Sequence, residues 1–139
     1  MRTGVALIFA LALAASSSAA QQPTLDLAAQ AVKRGWLAHD PATILGGSSE
    51  LLLQLPSADP VPAVKRPQAI ALLRSFLAGT AEIAVNVSAA KELEAGRGYV
   101  ELRRQFRPAG TQEVRRERIL LGYRRGVGGW HLTELRSAN

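Results

Sequence analysis

The chain has 139 residues, 47 % of them hydrophobic and 5 % aromatic, a balance that suits one globular domain with one core. It holds no cysteine, which excludes a disulfide framework, thiolate ligation of zinc and anchoring through a lipidated cysteine. The formal charge of +6 is uneven: residues 21–96 carry six Lys/Arg against seven Asp/Glu, and residues 97–139 carry ten arginines against four glutamates.

Residues 1–20 read as a secretion signal. Arg2 gives a positive start, "VALIFALALAA" (5–15) an apolar stretch, and "SSSAA" (16–20) the small residues of a cleavage site after Ala20. As a helix the apolar stretch would reach about 16 Å, roughly half a hydrocarbon core, which favours cleavage over anchoring. The expected product is residues 21–139, a single domain exported to the periplasm or beyond, with no transmembrane segment in the mature chain.

Thr24 is placed to cap a helix over 24–38, in which Leu25, Ala28/Ala29, Val32 and Trp36 recur at helical spacing. "HDP" (39–41) stops it, because a residue before proline is driven out of the helical region. His39 and Asp40 read as turn and capping residues. "PATIL" adds a short helical turn before "GGSS". "ELLLQL" (50–55) is a short strand, and "PSADPVPAVKRP" (56–67), with four of the seven prolines, a crossing loop. Helical spacing resumes over 68–79 through Ile70, Leu73, Phe76 and Leu77, and Gly79 ends it.

Beyond Gly79 the apolar period falls from about 3.6 to 2. Ile83, Val85 and Val87 alternate with Glu82, Asn86 and Ser88 in 81–89. Strands follow over 98–106, 111–125 and 129–136, separated by "EAGRG", "PAG" and "GVGG". Helices first and hairpins after predict an α+β fold with a curved antiparallel sheet. With Val100, Leu102, Ile119, Leu121 and Tyr123 inward, the other parity carries Arg103, Arg107, Arg116, Arg118 and Arg124. Alternation alone makes such a ribbon wet, so a solvated face and an anion site are both open readings. Arg104 and Arg115 break the pattern by falling on the inner parity, at a strand end, a bulge or a cavity mouth.

The order of elements resembles the nuclear transport factor 2-like superfamily, cystatin-like cones closed by N-terminal helices. "AVKRGWLAHDPATILGGSSELLLQL" (31–55) is similar to its opening helix, break and first strand, and "GGWHLTELR" (128–136) to its closing strand. "RPQAIALLRSFL" (66–77) and "ILLGYRRGVGGWHLTELR" (119–136) resemble an exported bacterial family, domain of unknown function 4783. The resemblance implies a cone interior lined or closed by Trp36, Phe76, Ile83, Val85, Leu102, Leu121 and Leu132. It also implies pairing of two subunits through the outer sheet, and it spans both binding modules and enzymes.

The first reading is therefore a non-catalytic binding domain. Its candidate binding residues are Arg103, Arg104, Arg115, Arg116, Arg118 and Trp36, and its candidate partners are an anionic ligand, an acidic protein or a second copy. Nucleic acid is disfavoured, because no aromatics interleave with the arginines and no recognition motif is present. The alternative is a small lyase or isomerase that uses a carboxylate and a tyrosine in the cone, for which Glu117 and Tyr123 are the candidates and Glu113 a further inward acid. An inert adaptor is a third reading. Two distant histidines cannot supply the three or four ligands a metal ion needs, and no cofactor motif is present, so no metal or cofactor is expected.

Overall fold

The computed structural model describes residues 24–138; the leader expected over 1–20 lies outside the described residues. Helix α1 spans Leu25–Leu37, and the Leu27 amide donates to Thr24 Oγ1 at 3.2 Å. Leu25, Ala29, Val32 and Trp36 form its buried face. The helix ends with paired bonds from His39 N to Trp36 O and from Asp40 N to Gly35 O, at 3.1 and 2.8 Å, and His39 has a positive φ of 52°. That is a Schellman closure with histidine in the place usually taken by glycine. Asp40 then caps α2 (Pro41–Leu45), accepting from Thr43 Oγ1 at 2.6 Å and from the Thr43 amide. The Thr43 hydroxyl is the main cause that holds the Asp40 carboxyl below its ordinary value. His39 and Asp40 are thus helix-end residues, as their spacing predicts.

Strand β1 (Glu50–Gln54) follows, and the segment expected to be a crossing loop contains strand β2 (Val61–Lys65). β2 pairs antiparallel with β1, Glu50 opposite Lys65 and Leu51 opposite Val64. It lies at the sheet edge, where Pro62 can be accommodated without breaking an interior ladder. Prolines hid this strand because they mark an edge as readily as a loop. Helix α3 (Arg66–Ala78) buries Ala69, Leu73 and Leu77, and four long strands complete the chain: β3 (Thr80–Glu92), β4 (Arg97–Pro108), β5 (Arg115–Gly126) and β6 (Gly129–Ala138).

The six strands form one sheet in the order β2-β1-β6-β5-β4-β3. The sheet is mixed, not wholly antiparallel, because β1 lies parallel to β6, with Leu52 opposite Glu134 and Gln54 opposite Arg136. Alternation within each strand is silent on which strand lies beside it. The helices pack on one face, over a core of Trp36, Leu73, Leu102, Ile119, Leu121 and Leu135. This is the α+β cone-like architecture expected from the order of elements. No helix among the described residues is long and apolar enough to cross a bilayer.

Strand β3 departs from simple alternation. Its pairing with β4 shifts between Glu82 and Ala84 and again between Val87 and Ala89, which makes Ile83 and Ser88 extra residues at bulges. A bulge reverses which parity faces the core, so Val85 is buried while Ile83 is 40 % exposed. The expectation that Ile83 lines the interior is corrected, and Glu82, expected on the wet face, has a buried side chain.

Candidate functional site

Two places gather polar side chains: the interior between α1, α3 and the sheet, and the opposite face of β3–β5. In the interior, Arg104 occupies the position that its parity predicts and is fully buried. Its Nε and Nη2 donate to Glu82 Oε2 and Oε1 at 3.2 and 2.5 Å, and its Nη1 lies 3.5 Å from Glu117 Oε1. The two-pronged bond to Glu82 is the geometry in which guanidinium and carboxylate bind most strongly. The guanidinium also lies 3.9 Å from the Phe106 ring centroid, 5.3 Å from Phe76 and 5.4 Å from Trp36. Two acids and a cage of three aromatic rings therefore hold one arginine inside the cone. The charge is buried but compensated, which is the condition under which a buried ion is tolerated.

This arrangement bears on four site expectations. Arg104 is internal and is not available to a partner at the outer face. Trp36, 0 % exposed, walls the same cluster and offers no binding surface. Arg115 takes the strand-end placement among the three expected for it: it begins β5 in the open and pairs with exposed Glu113 at 3.3 Å, so Glu113 is not an inward acid.

The proposed catalytic pair is not brought together. Glu117 is buried and faces Arg104 across the β4–β5 ladder. Tyr123 is buried six residues further along the strand, roughly 20 Å away at about 3.3 Å per residue. Burial pushes the Tyr123 hydroxyl well above its ordinary range, which keeps it protonated. Among the described residues no cluster of three or more His, Asp or Glu could hold a metal ion.

On the opposite face, cross-strand register assembles the arginines. Asn86 lies opposite Arg103, Arg103 opposite Arg118, and Gln105 opposite Arg116. With the backs of Arg104 and Glu117 they line a groove of about 560 Å³. Arg103 and Arg118 share Glu101, at 3.7 and 3.8 Å, and no acid within the described residues pairs with Arg116. Arg107 and Arg124 do not line the groove. The sequence ribbon is thus reduced to three arginines, with Gln105, which alternation in β4 puts beside Arg103, and Asn86, which only pairing with β3 brings alongside.

Neither family models nor curated proteins match this chain. Solved structures do. A ketosteroid isomerase-like protein from Erwinia carotovora atroseptica superposes with a TM-score of 0.66 at 14 % identity, covering 81 % of this chain and 91 % of that one. A domain of unknown function 4783 protein from Bacteroides ovatus gives 0.61 at 10 % identity, covering 77 % and 90 %. A cystatin-like domain from Nostoc punctiforme gives 0.62 at 13 % identity, covering 78 % and 70 %. At such identities the likeness is one of fold: the chain has the nuclear transport factor 2-like fold and shares it with the domain of unknown function 4783 proteins.

Proposed function

We propose that the chain is an exported binding domain without catalysis, whose basic sheet groove holds an anionic polymer or an acidic protein. The observation that carries this reading is the arginine trio. Register sets Arg103 directly against Arg118, with Arg116 two residues away on the same face, and one shared glutamate offsets them. Like charges placed directly opposite one another cost stability, and an anionic partner would relieve that cost. The leader-like residues 1–20 support export and so a partner in the cell envelope.

Against a lyase stand the separation of Glu117 from Tyr123 and the engagement of Glu117 by Arg104. A homodimer through this face would bring two sets of arginines together, which disfavours it without a counter-ion between the copies.

The test is retention on immobilised heparin as salt is raised. The wild-type domain is expected to bind at low salt and to elute as the screening length shrinks towards about 10 Å near 0.1 M. Changing Arg103, Arg116 and Arg118 to Ser is expected to abolish retention, while the same change at Arg124 and Arg125 leaves most of it. Equal loss from both sets would reduce the effect to net charge, and sedimentation of a salt-dependent dimer would favour self-association.

A further inference from the structure

If the sheet groove is an anion site, as proposed above, the spacing of its arginines separates the two classes of partner. The cations fall into two stations. Arg103 and Arg118 face each other across the β4–β5 ladder, with Asn86 beside Arg103 on β3. Arg116 stands two residues from Arg118 along β5 and faces Gln105, itself two residues from Arg103 along β4. One strand period, roughly 6.5 Å on a common face, separates the stations.

Both stations are open to solvent. The side chains of Arg103 and Arg118 are 67 % and 49 % exposed, and Arg116 and Asn86 are exposed residues. Glu101 lies 3.7 Å from Arg103 and 3.8 Å from Arg118, beyond hydrogen-bond distance, so neither guanidinium spends its fork there. Glu117, which also lines the groove, is engaged by Arg104. The free forks match the two oxygens of a carboxylate or a phosphate equally well. Asn86 and Gln105 break the tie, since each amide carries an acceptor oxygen as well as donors. A phosphate backbone offers them acceptors alone, whereas a peptide backbone also offers N–H groups. An extended peptide moreover repeats at the period of the strands beneath it, so acids on alternate residues reach one station each.

We propose that the groove binds an extended acidic segment of a protein, with Asp or Glu at alternate positions: one carboxylate sits between Arg103 and Arg118, the next on Arg116, and the amides of Asn86 and Gln105 bond to the peptide backbone.

Three blocked peptides of one length and composition serve as probes in a two-dimensional amide NMR titration at low salt. Each holds two glutamates among serines and glycines, placed adjacent, on alternate residues, or three residues apart. The alternate peptide is expected to bind about two- to fivefold more tightly than the other two, the worth of one more exposed ion pair. Arg116→Ser is expected to erase that margin, and Arg124→Ser, outside the groove, to preserve it. Equal affinity of the three peptides for the wild-type domain, or a margin that survives Arg116→Ser, overturns the proposal. A glycerol phosphodiester dimer, with the same two charges and no N–H group, is expected to bind more weakly than the alternate peptide. Equal or tighter binding would make the groove a site for a phosphate polymer and overturn the acidic segment. Heparin retention that depends on the three arginines, beside peptides that bind alike, would leave the anion site standing and remove this partner alone; no retention would remove both.

Discussion

Arg104 is the residue on which the interior depends. Removing its charge alone leaves Glu82 and Glu117 buried among Trp36, Phe76 and Phe106 without compensation. Arg104→Met is therefore expected to cost about 3–5 kcal/mol in urea unfolding, whereas Arg104→Met combined with Glu82→Leu and Glu117→Leu recovers most of that loss. Equal loss in the single and triple variants would mean that the arginine stem packed among the rings matters more than its charge. The sequence marked Arg104 as anomalous, since it breaks the alternation of β4. It also placed Glu117 inward. It could not reveal Glu82, because the bulge at Ile83 that turns Glu82 inward has no signature in the alternation of residue types. Two of the three buried charges were legible, and the third, which depends on a shift in the pairing of β3 with β4, was not.

At the scale of elements, α1 and α2 approach through Gly35. A Cβ added there would lie 2.8 Å from the Ile44 backbone nitrogen and 3.1 Å from the Thr43 carbonyl carbon, backbone atoms that cannot rotate away. Gly35→Ala is expected to force the two helices apart and cost about 1–3 kcal/mol, read as a lower urea midpoint with an unchanged slope. Retention of wild-type stability would mean that α2 shifts freely, against the capping geometry at Asp40. The helices themselves were legible, because Thr24, Asp40 and Pro41 stand where helices start and Leu25, Val32 and Trp36 repeat at the right spacing. Strand β2 was not, since Pro60, Pro62 and Pro67 give it the local text of a loop. Only pairing with β1 makes it a strand.

For the molecule as a whole, unpaired charge is segregated: an arginine groove lies on one sheet face, and the helix-covered core on the other holds its buried arginine against Glu82 and Glu117. Raising salt from about 0.02 to about 0.2 M is expected to increase the melting temperature by roughly 1–4 °C, because screening the Arg103–Arg118 contact recovers about 0.2–1 kcal/mol. Arg118→Ser is expected to abolish that increase, and a falling melting temperature would mean that surface ion pairs outweigh the repulsion. The overall cone was legible from the order of helices and hairpins; the seating of β1 against β6 was not, being a contact between segments some eighty residues apart. That seating governs assembly. The strand nearest the carboxyl side, Gly129–Ala138, is the hinge post between two halves of the sheet, β2-β1 on one flank and β5-β4-β3 on the other. During synthesis, β1 and β2 can pair with each other, and α1 and α3 can meet β3, before β6 exists; only the joining of β2-β1 to β5-β4-β3 must wait for those later residues. A cut that removes Gly129–Ala138 would part β2-β1 from β5-β4-β3, because no other strand spans them.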